Sequence, residues 1–309
     1  MRQVYINGEF KREDEAKVSI FDRSLLFADS VYEVTTVIEG KLIDFNNHMK
    51  RLDRSMTELK FKKLLNHEEI LAFHRKLIEL NNIKEGLVYL QVTKGVADRS
   101  FDMPKEQIQP TVFAFTQQKK LTDSPNAKTG IKIMTLDDLR WKRCDIKTTQ
   151  LLFPSLAKTE ATEKGFDDAW FIRQGYIMEG SSHNAWIIKG KIIKTRHSDQ
   201  LILSGITREA VMKCTKDLGY EVVYKNFSLQ EAQSADEAFI TSATAFVTPV
   251  IKINTSHIGD GKPGKFVTAL RAEYIKQAIE NSIYILSCNF NIIINRYFLK
   301  NLISKLINL

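Results

Sequence analysis

Cysteine is scarce in this chain of 309 residues, and the familiar zinc and nucleotide motifs are missing. The three cysteines, Cys144, Cys214 and Cys288, lie far apart and form no C-x-x-C pair. This spacing argues against a disulfide framework or a structural zinc site, and it favours a reducing, cytoplasmic location. Neither G-x-G-x-x-G nor a Walker loop occurs, so a dinucleotide or nucleotide triphosphate enzyme is not supported. The six histidines are scattered, and we expect no metal site.

Long basic runs and long apolar runs are missing as well. The N-terminus, MRQVYINGEFKRED, has no apolar core, so no signal peptide is expected, and no segment is predicted to span a membrane. The net charge of +8 is scattered, which fits acidic small molecules or phosphates at least as well as nucleic acid, and we expect no nucleic-acid partner. A hydrophobic content of 43% in a chain of this length predicts a globular protein of two domains.

Residues 1–117 are predicted to form a small domain in which a sheet is combined with helices. Residues 31–38 alternate as a strand does, Glu39 and Gly40 supply a tight turn, and residues 41–45 return as the second strand of a hairpin. Helices are predicted at residues 49–59, capped by Asn46 or Asn47, and at residues 68–80. The polar residues 118–130, which include a proline and a glycine, are interpreted as a linker.

Residues 131–280 are predicted to form a larger domain, and the remaining residues a tail. Short strands alternate there with helices expected at residues 156–164, 208–218 and 265–280. The tail, residues 281–309, contains no acidic residue and shows helical spacing of apolar residues. We interpret it as a basic, atypical tail that packs on its own domain or frays; the alternative is binding to a partner or a membrane surface.

The segment CDIKTTQLL, residues 144–152, has the composition of a strand and would place Asp145, Lys147 and Thr149 on one face. Desolvation disfavours the ammonium form of a lysine, and a neutral amine can attack a carbonyl to form a Schiff base. The segment alone leaves two interpretations open for Lys147: a nucleophile in a cleft, or a solvated strand residue, which is the more frequent case.

Four other features could serve a phosphate-bearing ligand. Glu179 lies in the turn MEGSSHN, Gly205 and Thr207 open a helix in LSGITREAV, residues 241–244 form the turn TSAT, and Arg51 lies in HMKRL. Free amides at a helix N-terminus bind anions, although Thr207 could equally be an ordinary N-cap. Together with Lys147 they supply an amine, a carboxylate, an anion cradle and an arginine. Pyridoxal 5'-phosphate needs each of these groups.

The same segments carry a family resemblance. Nine segments occur in order at consistent spacing: VYINGEF, DRSLLFADSVYEV, HMKRL, YLQVTKG followed by Arg99, RWKRCDIK, LAKTEA, EGSSHN, ILSGITRE and TSATAFVTPV. Over roughly residues 2–280 the chain resembles the class IV pyridoxal-phosphate aminotransferases, and most closely the D-amino acid aminotransferases. The resemblance implies an α+β fold of type IV, with a small N-terminal α/β domain, a larger domain with a mixed, barrel-like sheet, the cofactor between them, and a homodimer that completes the site.

The resemblance also implies roles for individual residues. Lys147 matches the Schiff-base lysine, which also moves the proton between the substrate and the cofactor, and Glu179 matches the carboxylate on the pyridine nitrogen. Tyr32 and Arg99 match two residues that hold the substrate carboxylate, partly across the dimer. The phosphate cradle is matched by Arg51, Ile206, Thr207, Ala243 and Thr244.

Some positions depart from the family pattern. Phe101 stands where a histidine completes the carboxylate trap, and Ala243 replaces a residue with a hydroxyl. Beyond the lysine, Gln150, Phe153 and Pro154 replace an asparagine and small residues. We therefore expect a reshaped pocket in which the Arg99 guanidinium still recognises a carboxylate, because an arginine can bind that group bidentately without the histidine.

These observations predict ping-pong transamination of D-amino acids such as D-alanine, with 2-oxoglutarate or pyruvate as acceptor. Two alternatives keep the cofactor and change the reaction: an aminodeoxychorismate lyase or a branched-chain L-amino acid aminotransferase. A third alternative is a pyridoxal-phosphate-binding protein without catalytic activity. The Tyr32 and Arg99 pair favours the D-amino acid enzyme, and intact Lys147 and Glu179 argue against an inactive protein.

Overall fold

The computed structural model describes residues 1–103, 105 and 108–283 of the chain, so nearly all of the predicted tail lies outside the described residues. The helices are α1 (Arg23–Phe27), α2 (Phe45–Glu58), α3 (His67–Leu80), α4 (Pro125–Thr129), α5 (Leu152–Glu163), α6 (Ile206–Asp217), α7 (Leu229–Gln233) and α8 (Lys265–Glu280). The strands are β1 (Gln3–Ile6), β2 (Glu9–Arg12), β3 (Ser30–Ile38), β4 (Lys41–Leu42), β5 (Gly86–Thr93), β6 (Val112–Gln118), β7 (Ile131–Asp137), β8 (Asp168–Arg173), β9 (Tyr176–Gly180), β10 (Asn184–Lys189), β11 (Ile192–Thr195), β12 (Glu221–Tyr224), β13 (Glu237–Ser242), β14 (Phe246–Ile253) and β15 (Ser256–His257).

The first sheet is antiparallel and has six strands in the order β2-β1-β6-β5-β3-β4. Helices α2 and α3 cover one face of it. The apolar residues of α2 recur at helical spacing, so Met49, Leu52 and Met56 all turn inward, where they pack with Val88 and Leu90 of β5. The predicted hairpin at residues 31–45 is present as β3 and the short β4.

The second sheet is mixed and curled. Its main path runs β12-β11-β10-β13-β14-β7-β8-β9, with β15 paired to β14. Strands β11 and β12, β14 and β7, and β7 and β8 run parallel, whereas the other neighbours are antiparallel. The Gly180 amide at the end of β9 donates to the His183 carbonyl 2.8 Å away, just before β10 begins. The edge strand β9 therefore lies close to β10, an interior strand of the same sheet, and the sheet curls. The α+β fold with a barrel-like second sheet is thereby confirmed.

Helices α6 and α8 pack on this second sheet. Val211 of α6 and Leu270 of α8 are buried with Phe239 of β13 and Phe246 of β14 in one cluster. The polar connection between the two sheets contains the short helix α4. The two-domain division with a linker at residues 118–130 remains a proposal, which the separate sheets support.

The prediction of a strand at residues 144–152 is wrong. Apart from a single bridge between Thr148 and Val31, residues 144–151 have no regular structure, and α5 begins at Leu152 rather than near residue 156. The segment runs beside the edge of β3, where the Tyr32 amide donates to the Lys147 carbonyl across 3.0 Å. Asp145 and Ile146 are neighbours and both are buried, so the alternating faces assumed for a strand do not apply.

Two helix starts also differ from expectation. The N-cap of α2 is Asp44, in a left-handed conformation, rather than Asn46 or Asn47. The N-cap of α6 is Gly205, which leaves Thr207 inside the first turn instead of at the cap. Among the described residues no helix is both long and apolar enough to cross a membrane, and no cluster of three or more metal-ligating side chains is found.

Candidate active site

A cavity of about 760 Å³ lies between the two sheets. One wall is the face of the first sheet that carries Tyr32 and Tyr89, and the opposite wall holds Glu179 of β9 and Asn184 of β10. Eight residues predicted to form the site line this one cavity: Tyr32, Arg51, Lys147, Glu179, Ile206, Thr207, Ala243 and Thr244. The fold therefore brings together groups that are distributed along the chain from position 32 to position 244.

Lys147 projects into this cavity from the irregular segment. Its Nζ lies 4.1 Å from the centre of the Tyr32 ring. The main chain of Lys147 is fixed on both sides, because its carbonyl accepts from Tyr32 and its amide donates to Ser55 Oγ at 3.3 Å. A half-buried primary amine on a fixed main chain is suited to bond with the carbonyl of a ligand held in the cavity.

Glu179 is almost fully buried and is surrounded by donors. Its oxygens accept from Arg140 Nη1 at 2.5 Å, from Asn184 Nδ2 at 3.0 Å, and from the Leu203 amide. Burial raises the pKa of Glu179 above its usual value, and the Arg140 cation opposes that rise. The carboxylate is positioned to accept a hydrogen bond from a protonated ring nitrogen of a bound ligand.

Arg51 is held in the cavity wall by a buried ion pair. It donates through Nε and Nη2 to the two oxygens of Glu33, each at 2.8 Å, and through Nη1 to the Ser204 carbonyl at 3.0 Å. His48 contacts the same carboxylate at 2.7 Å. Burial alone would raise the pKa of Glu33, but Arg51 and His48 outweigh it and lower that pKa to about 2. The arrangement fixes a guanidinium beside the start of α6.

Two turns supply main-chain donors on the same side of the cavity. Gly205 precedes α6, whose first residues Ile206 and Thr207 are buried. The other turn joins β13 to β14 and contains Ala243, whose carbonyl accepts from Thr36 Oγ1 at 2.5 Å. Because the first amides of a helix have no partner within the helix, this corner offers free donors of the kind that bind phosphate groups.

Arg99 lies outside this cavity in the single chain. It is exposed, and its guanidinium lies 5.6 Å from the Phe27 ring and 5.2 Å from the Phe101 ring. Phe101 is itself 82% exposed. The predicted pairing of Tyr32 with Arg99 is therefore not formed within one chain. The other positions that depart from the family pattern, Gln150, Phe153 and Pro154, do line the cavity.

Several residues of the site were not singled out from the sequence. Arg140 and Asn184 both bind Glu179, and Glu33 holds Arg51. Arg140 was present in the segment RWKRC, but that segment carries a second arginine, Arg143, which pairs instead with Glu58 and Asp145. Local sequence gives no means of telling which of the two faces the cavity.

The site fits one kind of cofactor. A primary amine, a buried carboxylate and an amide-lined corner beside an arginine share one cavity, which suits a ligand with a carbonyl, a basic ring nitrogen and a phosphate. Pyridoxal 5'-phosphate has these three groups. Lys147 would hold its carbonyl carbon, Glu179 its ring nitrogen, and Arg51 with the turns at residues 205–207 and 243–244 its phosphate.

Comparison with known families agrees with this class of site. The family model for class IV amino-transferases matches residues 30–253. The chain belongs to this family, and the predicted enzyme class and cofactor, a pyridoxal-phosphate-dependent aminotransferase, are confirmed.

The chain is also similar to curated and to structurally characterised proteins. It is 36% identical to a D-alanine aminotransferase of Staphylococcus aureus (strain MSSA476) over 92% of this chain and 100% of that protein, and 35% identical to a D-alanine aminotransferase of Bacillus licheniformis over 91% and 97%. Among solved structures, a branched-chain amino acid aminotransferase from T.th. with pyridoxamine 5'-phosphate superimposes with a TM-score of 0.86 at 25% identity, covering 92% of this chain and 99% of that one.

Proposed function

We propose that the protein transfers the amino group of D-amino acids such as D-alanine to a 2-oxo acid, 2-oxoglutarate or pyruvate, in a ping-pong reaction. The observation that carries this proposal is the cavity that contains Lys147, Glu179 and the amide-lined corner together, in a chain 36% identical to D-alanine aminotransferases. The branched-chain enzymes with similar structures are at most 25% identical among the neighbours cited, so they support the alternative L-amino acid reaction less well.

Each residue of the site has a distinct task in such a reaction. Bound pyridoxal phosphate supplies a carbonyl for the substrate amine and a ring that withdraws electrons from the α-carbon. Nζ of Lys147 would take the proton from the α-carbon of the substrate as a general base, and would then deliver it as a general acid to the carbon that carried the cofactor's carbonyl. The Glu179 carboxylate favours a protonated ring nitrogen, and Arg140 opposes the rise in the Glu179 pKa that burial causes.

Recognition of the substrate carboxylate is proposed to need a second copy of the chain. Arg99 is exposed and stacked beside Phe27 and Phe101, so it is available to enter the cavity of a neighbouring copy and face Tyr32 there. Apolar side chains beside the cavity, Leu139 and Leu152, are 74% and 75% exposed, and a homodimer would cover them. The missing histidine at position 101 leaves the guanidinium as the main donor to the carboxylate.

The acceptor is proposed to be acidic, with 2-oxoglutarate favoured over pyruvate. Lys119 lines the cavity and follows Phe115 and Gln117 on the same face of the first sheet. Lys147 is assigned to the reaction itself, and Arg51 and Arg140 are already paired with carboxylates, whereas Lys119 forms no ion pair with the described residues. A second carboxylate on the substrate would pair with the Lys119 ammonium.

The separated cysteines support a cytoplasmic location.

The test is a spectroscopic titration of the purified protein. The protein should carry a visible absorbance band of bound cofactor, and D-alanine should remove that band while L-alanine leaves it unchanged. Pyruvate should appear in stoichiometric amount in the absence of an acceptor. Bleaching by L-leucine alone would assign the branched-chain alternative, and release of pyruvate from aminodeoxychorismate without amino transfer would assign the lyase.

Replacement of the lysine tests the catalytic assignment. Lys147→Ala should lower the rate by at least about a hundredfold, because the proton transfer loses its base. The visible band should change at the same time, since the amine that bonds the cofactor is gone. The matched control is Lys142→Ala, five positions earlier and exposed. A Lys147→Ala protein with an unchanged band would refute the assignment.

A further inference from the structure

Arg271 of α8 is a buried arginine that has no acidic partner among the described residues. Its guanidinium donates to four main-chain carbonyls: Nη1 to Ala245 at 2.7 Å and Val247 at 2.9 Å, and Nη2 to Leu121 at 2.5 Å and Thr122 at 3.3 Å. It forms no ion pair with any carboxylate of the described residues. Buried arginines are usually paired with acids, so this cation lacks the compensation that its burial calls for.

Burial without an acidic partner is electrostatically unfavourable for this cation. Burial lowers the pKa of Arg271 to about 10, and the Tyr274 hydroxyl opposes this only in part. The guanidinium also lies 5.3 Å from the Phe246 ring, which offers a weak attraction in place of an anion. A nearby dianion would stabilise this cation further.

One of the carbonyls that Arg271 binds, that of Ala245, belongs to the anion turn, which we define as residues 242–245. Ala245 directly follows Thr244, and its amide donates to Ser242 Oγ at 3.1 Å, which closes the turn. Ala243 offers a bound phosphate only its main-chain amide, because its side chain has no hydroxyl. The direction of that amide depends on how firmly the main chain is held, and Arg271 is one of the groups that hold it.

The other two carbonyls connect Arg271 to the first sheet. Leu121 and Thr122 lie in the connection between the sheets, and Glu85, just before β5, accepts from both of their amides at 2.8 Å and 2.6 Å. The same carboxylate oxygen accepts from Thr122 Oγ1 at 2.7 Å. The connection is therefore clamped between Glu85 on one side and Arg271 on the other, so both sheets are fixed relative to the anion turn.

We propose that Arg271 is a positioning residue for the cofactor phosphate: it fixes the main chain of the anion turn against the connection between the sheets, and its buried charge favours a dianion in that turn. This inference rests on the proposed use of the anion turn by pyridoxal phosphate. It assigns no contact between Arg271 and the cofactor, since Arg271 is not among the residues that line the cavity and acts through the Ala245 and Val247 carbonyls.

The test compares two ligands that differ only in the phosphate. Apoprotein of the wild type and of Arg271→Met is titrated with pyridoxal 5'-phosphate and with pyridoxal, and the dissociation constants are measured by quenching of tryptophan fluorescence. Arg271→Met should weaken pyridoxal phosphate about tenfold or more, and should leave pyridoxal nearly unchanged. A merely structural role would weaken both ligands equally, so an unchanged affinity ratio would overturn the inference.

Two further variants keep the test decisive. If Arg271→Met does not fold, Arg271→Lys retains the charge and loses the forked geometry. The ratio of the affinity for pyridoxal phosphate to the affinity for pyridoxal should still fall. The matched control is Arg196→Met, which removes a similarly buried arginine that pairs with Asp199 and Asn226. Arg196→Met should lower stability without changing the ratio. A wild-type protein that binds neither ligand would refute the proposed function instead.

Discussion

Nη1 of Arg140 donates to Oε1 of Glu179 across 2.5 Å in the wall of the cavity. This contact opposes the rise in pKa that burial causes in the carboxyl group. Asp138 fixes the arginine from the other side, through Nε at 2.9 Å and Nη2 at 3.0 Å. Asp138 and Glu179 together keep the pKa of Arg140 above its ordinary value, although burial would lower it. The Arg140 cation therefore counteracts the rise in pKa of the carboxylate that is proposed to face the cofactor ring.

Arg140→Met should make the activity depend on pH in a new way. Burial already raises the pKa of Glu179, and without the cation that pKa rises further, so the carboxyl is neutral over a wider range. Each unit by which the pKa exceeds the working pH lowers the ionised fraction about tenfold. The kcat should therefore be low at neutral pH and recover as the pH rises through the raised pKa.

The control for this prediction is Glu179→Gln, which has no carboxyl to ionise. Its kcat should be low and should not recover at high pH. If Arg140→Met shows the pH profile of the wild type, the cation does not govern the ionisation of Glu179.

Gly205→Ala should disturb the same carboxylate from the other side. A Cβ at position 205 would lie 2.2 Å from Asn184 Oδ1, and Asn184 Nδ2 donates to Glu179 and to the Leu203 carbonyl. The side chain of Asn184 must therefore move, and the site loses a hydrogen bond to a buried charge, which is worth about 1.5–3 kcal/mol. The measurement is the dissociation constant of pyridoxal phosphate, which should rise about tenfold or more. Asn184→Ala removes the obstacle, so adding Gly205→Ala to it should have little further effect.

The parts of the fold that depend on local pattern could be predicted, and those that depend on distant contacts could not. Helix α3 has a regular apolar stripe and was expected at nearly its observed bounds. Strand β14 was not predicted; its Pro249 lacks the amide proton that a central strand normally uses, yet the strand pairs with both β13 and β7. The segment around Lys147 was misread as a strand for the same reason, since its conformation depends on contacts with Tyr32 and Ser55.

The site shows the same division. Family resemblance pointed to Lys147, Glu179 and the residues at the start of α6, which do line one cavity, because they lie in distinctive segments of the sequence. It gave no indication that Arg140 binds Glu179 or that Arg271 holds the anion turn, because the partners of a buried arginine are set by packing between elements far apart in the chain. Arg99 is a different case, since one chain does not contain the environment that its proposed role requires.

Lys119→Met should change the choice of substrate without changing the chemistry. The ammonium is proposed to pair with the second carboxylate of D-glutamate or 2-oxoglutarate. Its loss should raise the KM for these substrates several-fold to about tenfold, as expected for a partly exposed charge-assisted contact. The KM for D-alanine and pyruvate, and kcat with either pair, should stay near the wild-type values. The control is Lys120→Met, since Lys120 is also exposed and is not among the residues that line the cavity. Equal effects on both substrate pairs would exclude a role for Lys119 in specificity.

His74→Phe should make the protein less sensitive to mild acid. His74 is fully buried beside Phe45 and Phe73, its Nδ1 lies 2.9 Å from the Ile70 carbonyl, and its Nε2 has no hydrogen-bond partner among the described residues. Burial lowers its pKa from 6.5 to about 3.

Between pH 6.5 and about pH 3, His74 therefore binds a proton in the unfolded chain and not in the folded protein. The stability contributed by neutral His74 is complete above pH 6.5 and is lost as the pH falls toward 3. The slope for this group is about 1.4 kcal/mol per pH unit at most.

Urea unfolding of the wild type and of His74→Phe at a series of pH values measures the effect. The free energy of unfolding of the variant should fall less steeply below pH 6.5, and the two curves should diverge most at the acid end. Phenylalanine also removes the unpaired Nε2 and keeps a ring against Phe45 and Phe73, so the variant should be no less stable near neutral pH. His67→Gln, at a more exposed histidine whose side chain pairs with Asp53, serves as the control and should leave the slope nearly unchanged. Parallel curves for the wild type and His74→Phe would show that His74 is not the group whose protonation destabilises the fold.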